Sequence, residues 1–175
     1  MILKLKRTPG IYLVGFMGCG KTTIGELLAD KLGWRFVDLD RDIESEQGVS
    51  IAELFDSRGE PEFRALEAAA LKKRVRQVER GIATVMALGG GTFVHSANAR
   101  LVAEHGVTVW LKCPFPVIAR RTGHASHRPL ARDPQRFEEL YNQRLALYEQ
   151  AEYHISIESD DPASAVAAIL RLPLF

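Results

Sequence analysis

Gly15-Phe16-Met17-Gly18-Cys19-Gly20-Lys21-Thr22 fits the pattern G-x-x-x-x-G-K-[ST] at every fixed position. The apolar run Ile11–Val14 precedes it. After it, Lys21–Leu32 carries apolar residues at 24, 27, 28 and 32, a helical period that stops at Gly33. A strand, a glycine-rich turn and a helix in that order make a cradle for phosphate. The glycines let successive backbone N–H groups face one point, and the helix N-terminus adds its positive end. In such a loop Lys21 reaches the β- and γ-phosphates and the Thr22 hydroxyl ligates Mg²⁺. ATP with Mg²⁺ is therefore the expected co-substrate, with Gly18, Cys19, Gly20, Lys21, Thr22 and Thr23 around its phosphates. Cys19 sits at a helix N-terminus, a position that favours the thiolate, and rapid alkylation is expected of it.

Working outward, short apolar runs alternate with helical patterns. The strand candidates are Ile11–Val14, Arg35–Asp38, Ala83–Leu88, Val107–Lys112 and Tyr153–Glu158. The helical stretches are Lys21–Leu32, Pro61–Glu79, Ser96–His105, Phe115–Thr122, Pro134–Gln150 and Pro162–Arg171. Pro61 and Pro162 suit a first turn, where a missing N–H costs nothing. This alternation predicts an α/β fold of three layers, a five-stranded parallel sheet flanked by helices. The 175 residues fit one domain, 1–175. Gly123–Pro134 shows no periodicity and holds two arginines, two histidines and two prolines. It reads as a lid over the phosphates.

Hydrophobic residues make up 46% and charged residues 26%, with a formal net charge of +1. That balance excludes a bulk nucleic-acid or membrane-surface binder, so attraction for anions must come from local charge. No apolar stretch approaches the ~18–20 residues of a membrane span. The N-terminal Met-Ile-Leu-Lys-Leu-Lys-Arg interleaves charge with apolar residues, unlike a secretory signal. Cytoplasmic location and a monomer acting on small molecules are expected. Cys19 and Cys113 are the two cysteines; their surroundings suggest free thiols.

Asp38 and Asp40 stand at the carboxyl end of the second strand, where open α/β sheets place their ligands. With a period of two they would point the same way, one to the metal's water shell and one to an acceptor hydroxyl. Alone, Asp38-Leu39-Asp40 also suits a plain polar strand exit. Downstream come Phe63-Arg64 with Glu67, Leu88-Gly89-Gly90-Gly91, Arg128-Pro129-Leu130, and Arg144 with Tyr148. Singly, each has a bland reading: Arg64 and Glu67 as a surface i, i+3 ion pair, the glycines as a strand exit, Arg144 as a solvated helix charge.

Together, in this order and over residues ~10–160, these elements resemble the shikimate kinase family. The resemblance implies that Asp38 assists Thr22 with Mg²⁺ and that Asp40 binds the acceptor hydroxyls and serves as base. It implies that Arg64 and Arg144 clamp the acceptor's carboxylate and that Glu67 fixes Arg64, all but Arg144 within an acceptor region at about 38–67. Phe55 and Phe63 would form apolar walls, and Gly89, Gly90 and Gly91 would let the ring lie against backbone. Arg128 would reach the transferring phosphoryl group from the lid. Arg121 would stack on adenine, near Pro162. An arginine pair and one aspartate suit a small carboxylated polyol.

Two bulky residues bear on the acceptor. Leu39 stands between the aspartates, and Phe93 follows the glycines; either one, turned into the pocket, would select another substrate. A kinase for another polyol or sugar acid is the first rival. A GTP-dependent switch is the second, suggested by Asp56-Ser57-Arg58-Gly59 but lacking an N-K-x-D element for guanine.

Overall fold

Five parallel strands carry the molecule, and the carboxyl ends of four of them, all but the fourth in chain order, lead into the site. The computed structural model describes residues 9–123 and 133–174. In chain order the elements are β1 (Gly10–Val14), α1 (Lys21–Leu32), β2 (Arg35–Asp38), α2 (Leu39–Gln47), α3 (Ile51–Glu79) and β3 (Thr84–Ala87). Then follow α4 (Ser96–Glu104), β4 (Val107–Lys112), α5 (Phe115–Thr122), α6 (Pro134–Tyr148), β5 (Tyr153–Ser156) and α7 (Pro162–Leu170). The strand order is β2-β3-β1-β4-β5, with every neighbouring pair parallel.

β1 therefore lies between β3 and β4. Its own crossover runs towards β2, whereas those that follow β2 and β3 run the other way. With right-handed connections, opposite directions mean opposite faces, so α1 covers one side and α3 and α4 the other. The central strands β1, β3 and β4 are buried on both faces up to Lys112, which explains their unbroken apolar sequences. The edge strands β2 and β5 are only partly covered. Among the described residues no helix is long and apolar enough to cross a membrane.

Two departures from the sequence expectations matter. The first is α2, which begins directly after Asp38. Asp38 caps it, accepting the Arg41 N–H at 3.1 Å. Leu39 and Ile43, four residues apart, are its buried residues, each worth about 1.5–3 kcal/mol. Asp42 pairs with Arg74 and Glu46 with Lys73, which lashes the polar face to α3. Period-two alternation thus ends at Asp38, and Asp40 belongs to the first turn of a helix.

The second departure is α3, which starts at Ile51 rather than Pro61. Ser50 and Glu53 cap it reciprocally: the Ser50 hydroxyl accepts the Glu53 N–H, and the Glu53 carboxylate accepts the Ser50 N–H. The helix breaks at Gly59, whose φ of 79° and ψ of 165° lie outside the helical region. Pro61 then opens a second helical segment, so its first-turn role holds. Asp56–Gly59 is helix and kink, not a switch loop.

Candidate active site

On the phosphate side the loop is built by backbone. Gly15, Gly18 and Gly20 have φ of 148°, 82° and 97°, all in a region that other residues enter at a cost. The Cys19 N–H donates to Phe16 O at 3.2 Å and closes the turn. Lys21 Nζ donates to the carbonyls of Gly15 and Phe16 at 2.8 and 3.1 Å, which holds its ammonium over the cradle. Cys19 is fully buried, its Sγ 3.8 Å from Lys21 Nζ. This reverses the expectation of rapid alkylation, because a reagent must first reach the buried sulfur.

Thr22 Oγ1 donates to Asp38 Oδ2 at 2.5 Å. A hydroxyl from the first turn of α1 and a carboxylate from the end of β2 thus share one spot, and both are the hard oxygen donors that Mg²⁺ takes. Among the described residues no cluster of three or more His, Cys, Asp or Glu could hold a metal alone. A magnesium ion here would rely on the nucleotide's oxygens and water, as it does in phosphate loops.

Arg121 bridges the phosphate loop and the loop that follows β5. It donates to Gly18 O at 3.2 Å and to Asp160 Oδ1 at 2.7 Å. Asp160 also takes both its oxygens to Arg120. Pro162 lines the same cavity. Cys113, buried 3.9 Å from Arg121, has its thiol pushed up to about 11 by burial.

The acceptor side is built by side chains. Glu67, only 1% exposed, accepts Arg64 Nη1 at 2.9 Å and the Thr92 hydroxyl at 2.8 Å. The Arg64 guanidinium lies 5.2 Å from the Phe63 ring centre and 5.9 Å from that of Phe55. From α6, Arg144 reaches in over Phe16 at 5.6 Å. It makes no ion pair to another described residue, whereas Tyr148 from the same helix donates to Gly90 O at 2.6 Å. Arg64 Nε and Arg144 Nη1 are buried without hydrogen-bond partners. Two orphaned guanidinium nitrogens are expensive unless an anion meets them.

The glycines explain how these groups fit. A Cβ on Gly91 would stand 2.5 Å from Arg64 Nη2, and one on Gly89 would stand 2.7 Å from Asp40 Oδ1. A Cβ on Gly90 would lie 3.4 Å from Arg144 Nη1. The space opened by the missing side chains is thus taken by the protein's own charged groups, beside which the cavity continues. Asp40 has its carboxyl pushed up to about 6, chiefly by burial and then by the nearby carboxylates of Asp38 and Glu67, against the pull of Lys21.

One cavity gathers residues 17–23, Asp38, Asp40, Phe55, Phe63, Arg64, Gly89–Gly91, Arg121, Arg144 and Pro162. Leu39 is fully buried and Phe93 is 4% exposed within the core. Neither lines the cavity, so neither narrows the acceptor side. Of the lid candidate Gly123–Pro134, residues 124–132, Arg128 among them, lie outside the described residues. Sequence reasoning missed three partners: Thr92 on Glu67, Tyr148 on Gly90, and Asp160 on Arg121. Asp160 left a trace in Ser159-Asp160-Asp161-Pro162, where Asp161 alone caps α7 and its neighbour is left for another task.

Comparison with known proteins agrees with this geometry. A family model described as shikimate kinase matches residues 17–172. The chain is 41% identical to a shikimate kinase of Persephonella marina, covering 91% of this chain and 96% of that one. It is also 41% identical to a shikimate kinase of Ruegeria pomeroyi, covering 93% and 82%. Among solved structures, Acinetobacter baumannii shikimate kinase in complex with shikimate superposes with a TM-score of 0.87 at 34% identity, covering 93% of this chain and 91% of that one. The Aquifex aeolicus enzyme gives 0.79 at 30%, covering 92% and 93%. A sugar kinase from Janibacter, at 20% identity, a TM-score of 0.58 and coverage of 93% and 92%, shares the fold alone. The chain belongs to the shikimate kinase family.

Proposed function

We propose that this protein transfers the γ-phosphoryl group of ATP to a hydroxyl of shikimate, giving shikimate 3-phosphate. The observation that carries this reading is the pair of buried, unpartnered guanidinium nitrogens on Arg64 and Arg144, set beside Asp40 in the cavity that also holds the phosphate loop. A carboxylate supplies the acceptors those nitrogens lack, and a polyol ring supplies a hydroxyl for Asp40. The relatives' names and the neighbour in complex with shikimate support the same acceptor.

In this reading Gly18, Cys19, Gly20, Lys21, Thr22 and Thr23 receive the phosphates, and Arg121 lies along the adenine with Pro162. Thr22 and Asp38 hold Mg²⁺, which when bound neutralises phosphate charge. Asp40 accepts the proton of the attacking hydroxyl; a carboxyl raised to about 6 is a better base than an ordinary aspartate and remains ionised at pH 7. Gly89, Gly90 and Gly91 form the floor on which the ring rests. Arg128 from the lid stabilises charge on the equatorial oxygens. We read the protein as a single-domain monomer working in the cytoplasm, where ATP is at hand.

The test is a coupled assay with ATP, Mg²⁺ and a panel of shikimate, quinate, gluconate and nucleosides. Turnover of shikimate at the highest kcat/KM is expected. Preference for an acceptor without a carboxylate would overturn the reading.

A further inference from the structure

Arg64 is held at the end of a chain of buried groups that starts on a different helix. Asn98, 7% exposed on α4, donates Nδ2 to the Thr92 carbonyl at 3.1 Å. The Thr92 hydroxyl, itself fully buried, donates to Glu67 Oε2 at 2.8 Å. The other Glu67 oxygen, Oε1, accepts Arg64 Nη1 at 2.9 Å. A carboxylate with both oxygens committed cannot rotate without breaking one bond. Without the hydroxyl, Glu67 keeps only the arginine, while Arg64 retains Glu67 and, at 3.4 Å, the exposed Glu60, so nothing else among the described residues fixes the rotation of the Glu67 carboxylate.

Resting on the acceptor reading above, we propose that Thr92 is a positioning residue for the acceptor. Its hydroxyl locks the Glu67 carboxylate, and Glu67 in turn aims the Arg64 guanidinium at the substrate's carboxylate. Asn98 fixes the backbone from which that hydroxyl points. The Arg64 side of the acceptor clamp therefore draws on two helices, α3 for the arginine and α4 for its alignment. Nothing in the phosphate loop depends on this chain, so its loss falls on one substrate only.

The experiment compares Thr92→Val, which keeps shape and deletes the hydroxyl, with Thr92→Ser, which restores the hydroxyl in a smaller side chain. Thr92→Val raises KM for shikimate about fivefold to twentyfold, with KM for ATP within twofold. Thr92→Ser returns KM for shikimate to within about threefold of the parent. In an Arg64→Ala background Thr92→Val has no further effect on shikimate, because the residue it positions is gone. Unchanged KM for shikimate in a folded Thr92→Val protein overturns the proposal. So does an equal rise for ATP, or an undiminished effect in the Arg64→Ala background. Failure of the acceptor reading is separately visible: the unsubstituted protein would then not turn over shikimate, and both inferences fall together.

Discussion

The two halves of the cavity solve their polar bookkeeping in opposite ways. The phosphate loop is self-satisfied: Lys21 rests on two carbonyls and Thr22 on Asp38. The acceptor half leaves Arg64 Nε and Arg144 Nη1 buried without partners. One half is shaped by backbone from a single continuous stretch, the other by side chains from α2, α3 and α6 and by the loop after β3. The loop therefore keeps its form by local geometry, whereas the acceptor half depends on long-range packing and is completed by its ligand.

Asp40, where the halves meet, should give the largest effect. Asp40→Asn is expected to lower kcat by about 10²–10⁴-fold, the usual range for removing a general base. The sign for stability is opposite. Raised from 3.8 to about 6 in the fold, this carboxyl favours the folded state when protonated, below about pH 4. That contribution is lost as pH rises through about 6. Ionised at pH 7 it is a burden, and Asp40→Asn should gain roughly 1–3 kcal/mol there. Denaturant melts at pH 7 and pH 4 check this, the gain being confined to pH 7. In the parent, kcat/KM for the acceptor should fall as pH drops below about 6.

Lys21→Ala comes next, with a loss of about 10²–10³-fold in kcat and an unchanged circular dichroism spectrum. Unaltered turnover would dissolve the division between the halves, since the loop would then be scaffold only. Arg144→Ala is expected to weaken shikimate binding by ~1.5–3 kcal/mol, roughly 10- to 150-fold, with ATP binding little changed by calorimetry. Arg64→Ala should do the same and also destabilise the fold, because it strips the buried Glu67 of its cation. Equal losses for both ligands would show that the halves are not separable.

Cys19 gives the smallest effect. Its buried thiol should label slowly, on the time scale of Cys113, as followed by mass spectrometry with iodoacetamide. Fast, nucleotide-protected labelling would show that the phosphate loop opens more readily than its hydrogen bonds suggest.

The same contrast governs what could be read from the chain. The phosphate loop, α1 and the central strands were legible because local rules determine them: glycine conformation, helical period and unbroken apolar runs. The start of α2 was not, since Asp38-Leu39-Asp40 continues a strand's alternation as well as it opens a helix. The Leu39–Ile43 spacing that decides for helix shows only once both are seen to be buried. Ser50-Ile51-Ala52-Glu53 carried a capping signature, but Gly59 and Pro61 hid the helix behind it. On the acceptor side Arg64, Glu67 and Arg144 could be placed only by family resemblance. Their convergence depends on contacts between residues dozens of positions apart, such as Thr92 with Glu67 and Tyr148 with Gly90.

The unpartnered guanidinium nitrogens also have a thermodynamic consequence outside catalysis. Two buried guanidinium nitrogens short of acceptors make the free protein less stable than its packing would allow, and a small carboxylate that reaches both recovers that deficit. Occupancy and melting temperature are then linked: at a ligand concentration 100 times its dissociation constant the fold gains ~2.7 kcal/mol. Acetate, formate or citrate in a storage buffer would act as weak mimics of the acceptor, raising the melting point while competing with it. For this protein the choice of buffer anion is itself a probe of the binding site.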